Sequence, residues 1–120
     1  MKIALGSDHA GFPLKEYLKE KLTAEGHELT DVGTHSDAST DYPDFAHPVA
    51  NLVTGEEVEL GIVMCGSGNG INMAVNKHQG IRSALCWTPE IAEMARLHNN
   101  ANVLALPARY ISQEVAEEIV

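Results

Sequence analysis

The sequence predicts an α/β protein, a three-layer α/β/α Rossmann-like sandwich with a five-stranded parallel sheet. Three observations predict it. Short apolar runs alternate with segments of helical spacing along the whole chain, an order that places helices on both faces of a parallel sheet. Polar or glycine-rich loops follow several of those runs, at the edge where open parallel sheets bind ligands. The length of 120 residues suits one core and one domain, 1–120, with no repeat, low-complexity tract or linker to divide it.

The elements follow in order. Lys2-Ile3-Ala4-Leu5-Gly6 is a short apolar strand, and Ser7-Asp8-His9-Ala10-Gly11 a polar loop after it. Leu14, Leu18 and Leu22, with Tyr17 beside them, make a helical stripe that Gly26 closes as the C′ residue. His27 to Val32 is the second strand, stopped at Gly33, and residues 34–40 are a polar loop. Asp41-Tyr42-Pro43-Asp44 opens a helix with proline near its first position, and Phe45, Val49, Leu52 and Val53 form its buried face up to Gly55. Leu60 to Met64 is a fully buried third strand. Ile71-Asn72-Met73-Ala74-Val75 starts a helix that fades near His78-Gln79-Gly80. Ile81 to Trp87 is the fourth strand, and Thr88-Pro89-Glu90 opens the next helix with a cap, a proline and an early acid. Ile91, Ala95 and His98 share the apolar face of that helix. Val103 to Leu106 is the fifth strand, Pro107-Ala108-Arg109 a loop, and Ser112 onward a helix with Val115, Ala116 and Ile119 inward.

Composition narrows the function. Eight basic residues against seventeen acidic ones give a net charge of −9, which disfavours a general surface for nucleic acid or anionic membrane. Cys65 and Cys86 lie in different apolar runs and suggest no disulfide scaffold. With no signal-peptide pattern at Met1-Lys2-Ile3 and no apolar run long enough to cross a bilayer, a reducing cytoplasm is the expected compartment.

The stretch Met64-Cys65-Gly66-Ser67-Gly68-Asn69-Gly70 carries the chemistry. It sets a thiol where a strand ends and a glycine-rich turn leads into a helix. Glycines let the backbone turn sharply and bring several N–H groups onto one ligand, and the helix dipole favours negative charge there. The site therefore suits a phosphate or an oxyanion formed during reaction, and the same field favours a Cys65 thiolate. A small buried cysteine beside a tight connection is the plainer reading of that loop alone. Asp8-His9 and Arg109 also follow strands at this edge, so three polar sets converge on it.

Each candidate has a competing reading. His9, beside Asp8, suits anion binding or proton transfer, against an exposed loop histidine. Tyr42 suits a ligand contact as well as it suits a turn aromatic. His98-Asn99-Asn100, at a helix end, reads either as an acid/base group with polar neighbours or as a histidine complementing the helix dipole. Arg109 is the stronger cation candidate because cations are few, whereas Lys77 and Arg82 read as solvated surface. His27, His35, His47 and His78 show no paired metal-ligand spacing. A cysteine-phosphatase loop needs arginine where Ile71 stands, no Gly-Lys-Ser/Thr closes the glycine loop, and the first strand has no dinucleotide turn.

Six motifs in one order, Gly6-Ser7-Asp8-His9-Ala10-Gly11, Asp41-Tyr42-Pro43, Cys65-Gly66-Ser67-Gly68-Asn69-Gly70, Asn76-Lys77, Gly80-Ile81-Arg82 and His98-Asn99-Asn100-Ala101-Asn102-Val103-Leu104, resemble the type B ribose-5-phosphate isomerases, grouped with galactose-6-phosphate and allose-6-phosphate isomerases. The resemblance runs from residue 3 to about residue 112. It implies an aldose–ketose isomerase of phosphorylated sugars that works through an enediolate without metal or cofactor. Carried over by position, Cys65 would be the base at carbon 2 and Ser67 would assist proton movement between the oxygens. The N–H groups of Gly66, Ser67, Gly68, Asn69 and Gly70 would hold the oxyanion. His98, with Asp8 nearby, would open the furanose ring; Asn99 and Tyr42 would hold hydroxyls; His9 and Arg109 would meet the phosphate. Ile71 stands where one branch of the family has a glutamate base, so the chain resembles the cysteine branch.

The resemblance also implies homodimers or dimers of dimers with shared active sites, and a further C-terminal helix with phosphate-binding arginines. No Lys or Arg follows Arg109, so the 120 residues are expected to lack that helix and to turn over weakly, with a longer chain restoring activity. The remaining alternatives are a six-carbon sugar phosphate as substrate, since pocket size separates the substrates, and a sugar-phosphate-binding module without turnover.

Overall fold

A computed structural model describes residues 1–120. Strands β1 (Lys2–Ser7), β2 (Glu28–Asp31), β3 (Leu60–Cys65), β4 (Ser83–Leu85) and β5 (Val103–Pro107) form one parallel sheet in the order β2-β1-β3-β5-β4. Helices α1 (Phe12–Ala24), α2 (Pro43–Thr54), α3 (Asn69–Asn76), α4 (Pro89–Asn99) and α5 (Gln113–Ile119) alternate with the strands. The pleat sends successive side chains to opposite faces. Ala4, Val63, Cys65, Val103 and Ala105 join α2 and α3 in one core, while Ile3, Leu5, Ile62, Met64 and Leu106 join α1, α4 and α5 in the other. Burying a side chain such as Leu5 or Ile62 stabilises the fold by about 1.5–3 kcal/mol, which is why both faces need a helical layer.

The chain steps from β1 outward to β2 and returns on the other side of β1 to β3. The carboxyl ends of β1 and β3 thus flank the point where strand order reverses, the usual ligand crevice of such sheets. Close approach of α2 builds one wall of it. A Cβ at Gly6 or Gly61 would come within 2.8 or 2.7 Å of the Val49 methyls, so only glycine at both positions lets the helix sit this low on β1 and β3.

Several local expectations change. The inward residues of α2 are Ala46, Val49, Ala50 and Val53, with Phe45 and Leu52 only partly buried; small alanines, rather than the bulky pair, face the sheet because the helix lies so close to it. The fourth strand shrinks from residues 81–87 to Ser83–Leu85. Its leading residues are diverted, since the Ile81 N–H bonds back to the His78 carbonyl after Gly80 turns at φ +90°, and the Arg82 N–H bonds the Asn102 side chain. Along α4 only Ala95 is buried, and Ile91 is 49% exposed, because this helix touches the sheet through a narrow alanine stripe. Elsewhere the local rules hold. Gly26, at φ +92°, ends α1 with the paired bonds His27 N–H to Leu22 O and Gly26 N–H to Thr23 O, the Schellman arrangement. The Thr88 hydroxyl accepts the Ile91 N–H to cap α4.

One core feature has no sign in the apolar pattern. Lys15, on the inward side of α1, is fully buried, with its ammonium 2.6 Å from Asp31 and 2.9 Å from Glu16. Asp31 also meets Lys19 at 3.1 Å and accepts the Gly33 N–H. Burial alone would raise the Asp31 pKa, but the Lys15 ammonium, the Gly33 N–H and Lys19 together hold its carboxyl below the ordinary value. The cluster ties α1 to the end of β2, beside the loop that follows β1.

Candidate active site

Three strand ends set the site. Asp8, which follows β1, is 7% exposed; its N–H donates to the Met64 carbonyl, and its Oδ1 accepts the Gly11 N–H at 3.1 Å. That turn fixes one carboxylate oxygen and points the next residue, His9, across to the loop before α2. There the His9 N–H donates to Thr40 Oγ1 at 2.9 Å, and the Thr40 N–H donates to His9 Nδ1 at 3.1 Å. Sequence reasoning missed Thr40. An isolated threonine in a polar loop carries no signal until the fold sets it against His9.

Cys65 is the last residue of β3, level with Pro107 at the end of β5, and is 5% exposed. The backbone then turns through Gly66 to Gly70. Gly68 caps α3 at φ +78°, where a Cβ would strike Leu85 Cδ1 and lie 3.1 Å from the Leu106 carbonyl, so both conformation and space demand glycine. The Ser67 hydroxyl accepts the Asn69 N–H at 3.2 Å. With α3 starting at Asn69, its unpaired N–H groups and positive dipole end open toward the Cys65 strand end.

Two side chains from other loops press onto this turn. A Cβ at Gly70 would lie 2.7 Å from Tyr42 Cζ, and one at Gly66 would lie 3.2 Å from Arg109 Nη1. Tyr42 therefore lies over the helix end and Arg109 over the loop's first glycine. The Arg109 N–H donates to the Gly66 carbonyl and the Ala108 N–H to that of Cys65, which locks the loop after β5 to the loop after β3. Asp8, His9, Tyr42, Cys65, the Gly66–Gly70 loop and Arg109 thus belong to one edge of the sheet. A thiol, a carboxylate, an imidazole and a guanidinium around a helix N-terminus can bind a phosphorylated anion and move a proton next to it.

His98 and Asn99 are elsewhere. They end α4, which has returned to the amino edge of the sheet, where the Asn99 carbonyl accepts Arg82 Nε at 2.6 Å and the Asn102 carbonyl accepts the Gly61 N–H at the start of β3. Five residue steps of β3 separate that edge from Cys65, about 17 Å at the usual strand rise. Within one chain, His98 is therefore not near Asp8, contrary to the expectation from the sequence. His47 and His78, which showed no paired spacing, do meet, with Nδ1 and Nε2 2.7 Å apart. A groove of about 520 Å³ also opens at the amino edge, lined chiefly by apolar residues of α1, α4 and α5, the sheet and Val120. It lacks the donors that converge at Cys65.

The profile of the family described as Ribose/Galactose Isomerase matches residues 3–120. The chain belongs to this family. Within it, ribose-5-phosphate isomerase B of Escherichia coli is 47% identical over 119 residues, covering 99% of this chain and 80% of that protein. The structure of ribose-5-phosphate isomerase B from Clostridium thermocellum matches with a TM-score of 0.98 and 47% identity, over 99% of this chain and 80% of the other. A Mycoplasma genitalium enzyme of the same name, solved with bound ribulose 5-phosphate, matches with a TM-score of 0.93 and 40% identity, over 98% of this chain and 79% of that one. The five-stranded parallel sheet is the fold these isomerases share with the chain.

Proposed function

We propose that the chain interconverts ribose 5-phosphate and ribulose 5-phosphate, with the Cys65 thiolate as the carbon acid's base. The observation that carries this reading is the placement of Cys65, at a strand end, on a glycine loop that opens a helix, between Tyr42 and Arg109, in a chain of the ribose/galactose isomerase family.

In the forward direction the open-chain aldose lies with carbon 2 against Cys65. The thiolate removes the carbon 2 proton, and the electron pair moves into the carbon 1–carbon 2 bond while oxygen 1 takes up negative charge. N–H groups of the Gly66–Gly70 loop stabilise that enediolate; fixed donors of this kind are each worth about 2.7–4 kcal/mol. Ser67 carries the proton from oxygen 2 to oxygen 1, and the Cys65 thiol returns a proton to carbon 1, leaving the ketose. His9 and Arg109 hold the phosphate and Tyr42 a sugar hydroxyl.

Ring opening needs an acid/base group that Cys65 cannot also be. His98 fills that role, with Asn99 holding a sugar hydroxyl beside it, from a second copy of the chain. Two facts support it. Both residues lie far from their own Cys65, and α4 displays Ile91, Met94 and Leu97 at 49%, 48% and 68% exposure, an apolar stripe of a kind that marks contact surfaces.

The test is conversion of ribose 5-phosphate to ribulose 5-phosphate with chelator present, for the parent and for Cys65→Ala. The expected result is chelator-resistant turnover reduced about 10³-fold or more by the substitution, within the range of a lost general base. Full activity in the variant would remove Cys65 from the chemistry, and faster turnover of a hexose 6-phosphate than of ribose 5-phosphate would move the substrate to the six-carbon class.

A further inference from the structure

We infer that Thr40 is a positioning residue that presents His9 to the substrate phosphate as an Nε2–H donor. The inference rests on the proposed function for the identity of the anion, though the ring chemistry stands apart from it.

A neutral imidazole has one N–H and one bare nitrogen, and which is which follows from the bond the other atom makes. A backbone amide can only donate. The Thr40 N–H, 3.1 Å from His9 Nδ1, therefore requires a bare Nδ1, and the ring proton of the neutral form resides on Nε2. The protein's own hydrogen bonds to this ring all engage Nδ1, so Nε2 is left for a ligand. A phosphate has only acceptors to offer His9 once its protons are lost, and an Nε2–H donor matches it; the other tautomer would turn a lone pair toward the anion.

The Thr40 side chain completes the device. Its hydroxyl accepts the His9 N–H at 2.9 Å, so the two residues hold each other by a reciprocal pair of bonds across 31 positions of sequence. The pair spans the loop after β1 and the loop leading into Tyr42 and α2. Phe45, three residues past Tyr42, has its carbonyl against Gly6, so both loops rest on the rigid α2–β1 contact. Replacing the hydroxyl removes one of the two bonds and loosens the amide that sets the tautomer.

The experiment reads the ring and the kinetics together. Nitrogen-15 NMR of the His9 imidazole, in the parent, Thr40→Val and Thr40→Ser, is paired with KM and kcat for ribose 5-phosphate. The parent and Thr40→Ser should show a protonated Nε2 and a bare Nδ1, with the Nε2 signal shifting when inorganic phosphate is added. Thr40→Val should show mixed tautomers and a KM raised about tenfold with kcat within about twofold, since only binding is lost. A parent ring with its proton on Nδ1, or a Thr40→Val variant with the parental ring signal and KM, would overturn the inference. A parent with the expected ring and phosphate response but no isomerase turnover would support the positioning role and overturn the isomerase reading instead.

Discussion

Cys65 combines two properties that separately mean little. A cysteine that is 5% exposed at the end of a central strand is ordinary packing. The same cysteine, followed by a turn whose Gly68 and Gly70 are packed against Leu85 and Tyr42, sits before a helix N-terminus, where the dipole and free N–H groups favour an anion. Gly70 offers a test at this scale. Gly70→Ala places a methyl 2.7 Å from the present Tyr42 Cζ and so displaces that ring. With Tyr42 in its proposed role of holding a hydroxyl and taking no proton, KM for ribose 5-phosphate should rise about tenfold while kcat changes little, as measured by steady-state kinetics. A parental KM would show that the ring plays no part in binding. The loop's chemistry was legible in the sequence because glycine, serine and cysteine at a strand end carry local meaning. Thr40 was not, because its role exists only through His9, 31 residues away.

At the scale of elements, the ion cluster around Lys15 decides how β2 is held to α1. Removing one partner of a buried pair strands the other charge, at about 3–5 kcal/mol, so Asp31→Asn should lower the denaturant midpoint at pH 7 substantially, read by urea unfolding. The pH dependence has a definite sign. The folded carboxyl titrates below its ordinary value of 3.8, so the native state binds fewer protons than the unfolded one there. This part of the stability is complete above that value and is lost as pH falls through it toward the lower folded pKa. The parent should therefore lose stability below about pH 4 more steeply than Asp31→Asn; equal slopes would show that Asp31 gains nothing from its partners. Element order, strand positions and most caps could be read in advance, since apolar runs and the Gly26, Pro43 and Thr88-Pro89 signals act locally. The inward faces of α2 and α4 could not. Which residues face the sheet depends on how near a helix approaches it, and for α2 that distance is set by Gly6 and Gly61 on other elements.

For the whole molecule, topology divides the residues that the resemblance to sugar-phosphate isomerases had gathered. Asp8, His9, Tyr42, Cys65 and Arg109 belong to the carboxyl edge, while His98 and Asn99 belong to the amino edge, and no periodicity in the sequence distinguishes the two. The proposed sharing of sites between two copies makes a prediction about mixtures. Cys65→Ala and His98→Gln should each be inactive alone. Mixed and re-equilibrated in equal amounts, they should recover about a quarter of parental turnover, because half the dimers are hybrids with one intact site each. An inactive mixture, with hybrids verified by mass spectrometry, would place ring opening on some other residue.

Proton removal at carbon 2 by Cys65 can be followed by solvent deuterium exchange. Ribose 5-phosphate incubated in heavy water with the parent should gain deuterium at carbon 2 in the recovered aldose and at carbon 1 in the ketose. Cys65→Ala, shown by circular dichroism to be folded, should label about 10³-fold more slowly or less, as expected for a lost base. Labelling by that variant at the parental rate would show that another group removes the carbon 2 proton.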